Sequence, residues 1–333
     1  MPWHVAAALR EPAFGWFYFV NEHVLRFLGM REPHDYYTGP FYYYLPRILM
    51  FLFPWSVFIP LLFVRIGRRA AGMPDIEKLA WVWFGVCLVF FSTSEAKANY
   101  YMTVAMPPLA LLLALRIAEL IERADRWTFV GATVFIAAGV AASAWVIEAH
   151  MGMTPPRGLW IAVHRQMEYL QWALWSIAAL CLLATALYAR GWTRAALHAL
   201  ALANLPLLVF FVAVMAQAQP FASEREMARY IAGNHPGAKV FLYQDYEKLA
   251  SLPFYLERQV PVVDSVSNDL AFGMKLLPGH ENFVSAGQFA QIRGTRPVVL
   301  VVHRQRLRAL LLSPAGEGLR LRHRVGNVSA FSN

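Results

Sequence analysis

Three short segments of this chain combine charged, aromatic and proline residues in patterns that could bind a substrate. The first reads Asn21-Glu22-His23-Val24-Leu25-Arg26-Phe27 and holds a carboxylate, an imidazole and a guanidinium. On a helix, side chains three or four positions apart share a face. The segment is interpreted either as a solvated helix at a membrane surface or as an anion or metal site beside lipid headgroups. Glu22 and His23 alone are too few ligands to define a metal site.

The second segment covers residues 40–47, reads Pro-Phe-Tyr-Tyr-Tyr-Leu-Pro-Arg, and is followed by Phe53-Pro54-Trp55. Its rings and prolines are typical of an aromatic belt at a membrane interface and of a helix entrance broken by proline. Arg47 stands just inside the start of an apolar stretch. Its side chain is expected either to extend toward the interface or to bind a lipid phosphate.

The third segment is a short turn, Ser94-Glu95-Ala96-Lys97, followed closely by Tyr100 and Tyr101. A cation at a membrane boundary with phenolic hydroxyls about one helical turn away suits a phosphate group. The alternative is an ordinary loop lysine that contributes little.

These segments belong to a chain that is too apolar for an ordinary soluble fold. Its 333 residues are 58% hydrophobic, with a mean hydropathy of +0.40, whereas soluble domains carry about 45–50% apolar residues. The net charge is +9, and much of the basic surplus lies in short loops between apolar runs. That placement indicates membrane topology and argues against nucleic acid as a partner.

Six apolar stretches are long enough to cross a hydrocarbon core of ~30 Å as helices. We predict spans at roughly 44–64, 79–94, 100–118, 128–147, 170–189 and 197–217. Most basic residues flank these spans on one side, which the positive-inside rule assigns to the cytoplasm. They are Arg65, Arg68, Arg69, Lys78, Arg116, Arg123, Arg126, Arg190 and Arg194, whereas the other side holds only Lys97, Arg157 and Arg165. Both ends of the chain are then expected in the periplasm, outside a bacterial inner membrane.

The predicted domains are periplasmic interfacial amphipathic helices over 1–43, a transmembrane bundle over 44–217, and a periplasmic α/β domain over 218–333. In the last region, Ser223-x-x-Glu226 predicts a capping box that opens a helix. Buried strands are predicted at 238–244, 260–264 and 297–303, with helical patterns between them. Alternation of this kind is typical of a small, mostly parallel α/β domain.

In order and spacing, these segments resemble the second half of the polyprenyl-phosphate-dependent glycosyltransferases. That GT-C group, similar to glycosyltransferase family 39, includes aminoarabinose lipid A transferases and protein O-mannosyltransferases. The matching segments are Glu22-His23-x-x-Arg26-Phe27, Pro40 to Pro46 before Pro54-Trp55, the turn with Lys97 and Tyr101 before Met106-Pro107, and Leu252 to Arg258. The resemblance implies an all-α membrane fold, a GT-C-like half of about six transmembrane helices, with a small C-terminal α/β domain.

The resemblance also implies a reaction, in which a sugar moves from undecaprenyl phosphate to a periplasmic acceptor such as lipid A, another glycan or a protein. The departing lipid phosphate needs stabilising donors. The implied phosphate or substrate contacts are Lys97, Tyr101, Tyr100, Arg47 and Arg26. Glu22 and His23 would shape the interfacial loop or hold a divalent metal together with a ligand from elsewhere, and no other cofactor is expected.

The family's proposed catalytic aspartate lies in an earlier loop that has no counterpart in this sequence. The chain is therefore expected to be an N-terminally truncated member, or one half whose N-terminal partner is separately encoded. Two alternatives stay open: an inactive fragment or partner subunit, and a transporter. A transporter would be expected to carry charged residues within its spans, and the predicted spans have almost none away from their ends.

Overall fold

The computed structural model describes residues 2–64, 72–153, 160–276 and 278–333. The chain forms two compact units, Met1–Ala213 and Val214–Asn333. The predicted cytoplasmic arginines Arg65, Arg68 and Arg69, and Arg157 on the other side, lie outside the described residues.

The first unit begins with short helices that precede the membrane spans. They are α1 (Pro2–Arg10), α2 (Ala13–Gly15) and a π-helix, Trp16–Leu25. Asn21 ties the π-helix to the segment that follows it, because its side chain donates to the Glu32 carbonyl at 2.7 Å and accepts from the Glu32 amide at 3.0 Å. The turns of a π-helix are wider than those of an α-helix, and π-helical turns are frequent at functional sites.

Within the described residues, five helical stretches are long and apolar enough to cross a membrane. They are Asp75–Thr93, Asn99–Glu122, Arg126–Met151, Arg165–Ala189 and Thr193–Gln219. The α-helices that form them are α5 (Asp75–Thr93), α6 (Met106–Glu122), α7 (Arg126–Met153), α8 (Trp160–Ala189), α9 (Thr193–Leu202) and α10 (Leu205–Ala222). These five stretches coincide with the last five predicted spans.

The first predicted span, 44–64, is not one straight helix. Phe41–Phe51 and Trp55–Phe63 form a bent pair that changes direction by 114°. The pair contains the α-helices α3 (Tyr44–Phe51) and α4 (Pro60–Phe63). Pro54 accounts for the break, because proline has no amide hydrogen to donate and disfavours helical geometry at the residue before it.

Small residues and one hydroxyl pair bring α7 and α8 close together. The Thr133 and Thr185 hydroxyls share a hydrogen bond of 2.8 Å, and the rings of Phe129 and Tyr188 stack with centroids 4.0 Å apart. The buried small residues on these helices are Ala137, Ala144, Ala173, Ala178 and Ala184. Close approach at small residues is a common basis of helix packing in membranes.

Arg116, which the sequence analysis grouped with the cytoplasmic loop cations, lies within α6 and is only 5% exposed. Its guanidinium pairs with Glu77 of α5 and with Glu119 of α6. A buried arginine needs such partners, because an unpaired charge away from water is costly. The pair therefore fastens two neighbouring spans near one end.

The second unit is an α/β domain built on a six-stranded sheet. Its strands are β1 (Lys239–Tyr243), β2 (Val262–Val263), β3 (Phe283–Val284), β4 (Val298–His303), β5 (Arg320–Val325) and β6 (Val328–Ser332), in the order β3-β2-β1-β4-β6-β5. The first four strands are parallel, which agrees with the predicted mostly parallel sheet, and β1, β2 and β4 match the three predicted strands. Neither β3 nor the antiparallel hairpin of β5 and β6 was predicted.

Helices cover both faces of this sheet. They are α11 (Arg225–Asn234), α12 (Ser251–Tyr255), α13 (Ala271–Leu276), α14 (Ala286–Thr295) and α15 (Leu307–Leu311). One apolar cluster includes Met227, Ile231 and Leu252. The other includes Phe289 and Leu310. Strands that are buried on both faces appear as continuous apolar runs, which is why β1 and β4 were recognisable in the sequence.

Candidate functional site

A short loop, Ser94 to Ala98, is docked onto the segment that follows the N-terminal helices. The Glu95 amide donates to the Phe27 carbonyl at 3.1 Å, and the Lys97 amide donates to the Tyr37 carbonyl at 2.8 Å. Gly29 permits this approach at φ 75°, since a Cβ atom there would lie 2.9 Å from Cγ of Glu95. The first and third sequence segments are therefore neighbours in the fold.

A cavity of about 440 Å³ lies between these two segments. Its polar lining comes from Glu22, His23, Arg26, Ser94 and Tyr101, and its aromatic lining includes Phe27, Phe90 and Phe91. Four of the seven predicted site residues, namely Glu22, His23, Arg26 and Tyr101, thus line one space. We call it the interfacial cavity.

Arg26 is the cation with an unfilled donor in this cavity. Its Nη1 atom donates to Oε2 of Glu22 at 3.3 Å. Its Nε atom is buried and has no hydrogen-bond partner among the described residues. A buried donor without a partner is costly, so an anionic ligand that accepts from Nε would be favoured here.

Glu22 is held by two arginines. Besides the contact with Arg26, its Oε1 atom accepts from Nε of Arg31 at 2.7 Å. Arg31 is itself 8% exposed and also pairs with Asp35. Burial alone would lower the pKa of Arg31, but the hydrogen bonds and charges of Glu22 and Asp35 raise it above its usual value. Arg31 was not predicted from the sequence, because it lies nine positions after Glu22 and no periodic signal links the two residues.

The predicted metal pair has little support in this geometry. Both carboxylate oxygens of Glu22 already contact guanidinium groups. His23 has its Nδ1 atom 2.6 Å from the Tyr18 carbonyl, which fixes Nδ1 as the protonated nitrogen. Among the described residues, no group of three or more histidine, cysteine, aspartate or glutamate side chains could hold a metal ion. Since a metal site needs more ligands than two, the described residues do not fit one.

Lys97 lies behind the cavity wall and is only 5% exposed. Its Nζ atom donates to the carbonyls of Phe91 at 3.1 Å, Ser92 at 2.7 Å and Ser94 at 2.5 Å. An ammonium group has three donors, and all three are used. Lys97 thus caps the C-terminal end of α5, where orphan carbonyls and the helix dipole favour a cation. Burial lowers the pKa of Lys97, while the charge of Glu95 opposes that shift.

The remaining two predicted residues do not line the interfacial cavity. Arg47 donates from Nε to Oδ1 of Asn99 at 2.7 Å and from Nη1 to the Tyr43 carbonyl at 2.7 Å. Its guanidinium lies 3.3 Å from the centre of the Tyr43 ring. Tyr100 is 68% exposed, and its ring packs edge-on against Tyr101 with centroids 4.9 Å apart. Arg47 therefore joins the start of α3 to Asn99, and Tyr100 packs on the outside of Tyr101.

Comparison with known proteins gives a consistent set of relatives. No protein-family model matches the chain. The undecaprenyl phosphate-alpha-4-amino-4-deoxy-L-arabinose arabinosyl transferase of Yersinia pseudotuberculosis serotype O:3 (strain YPIII) is 25% identical over 327 residues, which covers 93% of this chain and 56% of that protein. The enzyme of the same name from Photorhabdus laumondii is 33% identical over 114 residues, or 34% of this chain and 20% of that protein. The chain spans about half the length of the curated relatives it matches.

Two solved structures share the fold. The crystal structure of ArnT from Cupriavidus metallidurans bound to undecaprenyl phosphate matches 99% of this chain and 58% of that chain, with a TM-score of 0.76 and 22% identity. The apo structure matches 99% of this chain and 57% of that chain, with a TM-score of 0.72 and 21% identity. Together with the long apolar helices, these matches show that the chain is a multi-spanning membrane protein with the GT-C fold of the solved structures, and that its sequence is similar to the undecaprenyl phosphate-aminoarabinose transferases.

Proposed function

We propose that this chain forms the lipid-phosphate-binding part of an inner-membrane glycosyltransferase. The enzyme would move a sugar from undecaprenyl phosphate to a periplasmic acceptor such as lipid A. The observation that carries the proposal is the Nε atom of Arg26, which has no partner among the described residues and lies at a cavity between the π-helix and the Ser94 to Ala98 loop. The names of the relatives, which specify an undecaprenyl phosphate sugar donor, support the same chemistry.

The charges around Arg26 suit reversible binding of a phosphate. Arginine presents a planar fork of donors that matches phosphate oxygens. When a phosphate takes the donors of Arg26, the Glu22 carboxylate keeps its 2.7 Å contact with Arg31. The carboxylate is therefore not left buried without a partner, which would be costly.

Tyr101 and the aromatic wall complete the proposed site. The Tyr101 ring stacks on Phe91 with centroids 5.1 Å apart, and both residues line the interfacial cavity. The phenol is a neutral donor that could hydrogen-bond the departing phosphate, and fixed donors of this kind stabilise charge as it develops. The rings of Phe27 and Phe90 offer an apolar surface for the first isoprenoid units.

Lys97 has an indirect role in this proposal. Its three carbonyl contacts hold the loop against α5, so the loop residues that line the cavity are kept in position. A direct phosphate contact, as the sequence predicts, would require Nζ to leave at least one of these carbonyls. We therefore propose Arg26 and Tyr101 as the direct contacts and Lys97 as the residue that positions them.

The base that deprotonates the acceptor is proposed to come from a polypeptide segment outside this sequence, in a longer form of the chain or in a separate partner. Glu22 is the one carboxylate among the described residues that line the cavity, and it is occupied by two arginines. The cavity and the second unit are proposed to face the periplasm, since basic residues concentrate at the opposite ends of the spans.

The test is binding of undecaprenyl phosphate to the full chain in lipid nanodiscs, with undecaprenol as the uncharged control lipid. Arg26→Ala is expected to weaken binding at least about tenfold, because a charge-assisted hydrogen bond contributes about 1.5–3 kcal/mol. Arg47→Ala is the matched control and is expected to change binding less than about threefold, since Arg47 does not line the cavity and donates to Asn99 and to the Tyr43 carbonyl.

Three results would contradict the proposal. Equal affinity for undecaprenol and undecaprenyl phosphate would show that the phosphate is not recognised. A loss of affinity in Arg47→Ala that exceeds the loss in Arg26→Ala would place the phosphate elsewhere. Absence of any lipid binding in a folded chain would favour the inactive-fragment alternative.

A further inference from the structure

The second unit contains a cavity that the proposed transfer reaction does not use. It has a volume of about 540 Å³ and lies beside α12, β2 and β3. That size is within the range of about 300–1,000 Å³ typical of small-molecule sites. Its lining includes part of the segment from Leu252 to Arg258 that the sequence analysis singled out.

The lining combines one exposed ring with four polar side chains. Phe254 is 76% exposed, and its ring packs edge-on against Tyr255 with centroids 5.2 Å apart. The polar side chains belong to Glu257, Arg258, Gln259 and Asn282. None of the four forms a side-chain hydrogen bond or ion pair with another described residue. They therefore present free donors and acceptors around an apolar surface.

The backbone at Glu257 gives a second, independent observation. This residue has φ 51°. Its amide donates to the Phe254 carbonyl at 3.2 Å, and the Arg258 amide donates to the Pro253 carbonyl at 3.3 Å. This pattern is a helix C-cap in which glycine is the usual residue, because a side chain at positive φ is strained. Local folding would favour glycine at position 257, so the cap itself does not require the Glu257 carboxylate.

We propose that this cavity binds a sugar unit of a glycan. The face of a sugar ring carries C–H groups that pack on an aromatic ring such as Phe254, while its hydroxyls both donate and accept hydrogen bonds. A carboxylate, a guanidinium and two amides supply both kinds of partner. The charges of Glu257 and Arg258 balance, so the cavity favours an uncharged ligand over a phosphate or nucleotide. This site goes beyond the proposed transfer reaction and does not depend on it.

The experiment uses the full chain in nanodiscs and a fixed set of probes. The probes are methyl α-D-glucopyranoside, N-acetyl-D-glucosamine and maltose, with inorganic phosphate as the charged comparison, and binding is measured by saturation-transfer NMR and calorimetry. Saturable binding of at least one sugar is expected. Phe254→Ala is expected to weaken it about tenfold, since it removes the stacking surface.

Glu257→Gly separates binding from folding. The substitution removes the carboxylate and relieves the positive φ, so thermal stability is expected to stay the same or rise while sugar affinity falls about tenfold. Leu312→Ala, at an 80% exposed position elsewhere in the unit, is the matched control for Phe254→Ala and should leave binding unchanged. The inference is overturned if no sugar binds saturably, if both cavity variants bind as well as the parent, or if phosphate displaces the sugar.

Discussion

Two cations near the interfacial cavity, Lys97 and Arg26, differ in how their donors are used. Lys97 is buried and gives all three ammonium donors to backbone carbonyls at the end of α5. Arg26 lies on the cavity wall and keeps a buried Nε donor without a partner among the described residues. A cation at a membrane boundary is therefore a candidate ligand only when its hydrogen-bond donors are free. Three predictions test how far this contrast holds.

The largest expected effect is on folding at Lys97. Lys97→Met keeps most of the side-chain volume but leaves the carbonyls of Phe91, Ser92 and Ser94 without their donor. We expect the free energy of unfolding of the first unit to fall by about 2–4 kcal/mol, because buried acceptors without partners are costly. Denaturant titration in mild detergent, followed by tryptophan fluorescence, measures it. Unchanged stability together with lost lipid binding would instead make Lys97 a direct ligand.

A cation in the second unit, Arg306, tests the same rule, and the expected effect on stability is intermediate in size. Arg306 donates to both carboxylate oxygens of Asp245, each at 2.9 Å, and Lys248 donates to one of them at 3.1 Å. Burial would raise the pKa of Asp245, but the hydrogen bonds and charges of Arg306 and Lys248 lower it below its usual value. This contribution to stability is therefore fully present above the unfolded pKa and is lost as pH falls toward the lower folded pKa.

Asp245→Asn should remove that acid dependence. At neutral pH we expect it to cost about 1.5–3 kcal/mol, the size of charged hydrogen bonds, and to flatten the loss of stability below about pH 4. Thermal unfolding of the full chain between pH 3 and pH 7 measures both effects. A variant that loses stability with acid as steeply as the parent would show that the pair does not control the response.

The smallest expected effect is on folding at Arg26. Arg26→Ala removes a partly buried ion pair of 3.3 Å, and Glu22 keeps its second arginine. We expect the free energy of unfolding to change by less than about 1 kcal/mol, as for other partly exposed pairs. The measurement is the same denaturant titration that is used for Lys97→Met. A loss as large as that of Lys97→Met would remove the distinction between the two cations.

Much of the architecture was accessible from the sequence because it depends on local composition. Five spans and the strands β1, β2 and β4 are continuous apolar runs, and such runs need no tertiary information to be found. The hairpin of β5 and β6 was missed because β5, Arg320–Val325, alternates arginines at the edge of the sheet. Charged edge strands are common, and the two-residue turn Gly326-Asn327 was the available signal.

The N-terminus of α11 shows where a local sequence pattern fails to predict the structure. Ser223-x-x-Glu226 predicted a capping box, but α11 begins at Arg225 with Glu224 at the N-cap and no side-chain cap hydrogen bond. The Glu224 carboxylate instead contacts the Ser251 hydroxyl, and its amide donates to that hydroxyl at 2.9 Å. A capping box does form at Ser285 with Gln288, before α14. The pattern alone could not decide between the two, because Ser251 is distant in sequence.

The candidate site was predicted only in part for the same reason. Residue types and spacing identified Lys97 and Tyr101 as groups that suit a phosphate, and placed Glu22 and Arg26 in a candidate anion or metal site. The free donor of Arg26 could not be predicted, because it depends on tertiary contacts. Lys97 donates to carbonyls at the end of α5, and Arg31 binds Glu22. Neither contact follows from residue spacing. The sequence therefore offered Lys97, Arg47 and Arg26 alike as phosphate contacts, whereas the geometry favours Arg26.

The bend of 114° in the first apolar stretch has a consequence for how the chain threads the bilayer. Phe41–Phe51 alone would extend only about 16 Å as a helix, roughly half of a hydrocarbon core, so the pair could turn back before reaching the far side. Yet Tyr43, before the bend, hydrogen-bonds Asn99 at 2.9 Å, just after the next crossing. One crossing separates Asp75 from Thr93. Tyr43 and Asn99 lie on the same side of the membrane, and the crossing at Asp75–Thr93 begins on the opposite side. The bent pair must therefore carry the chain from one side to the other, as a complete though angled passage.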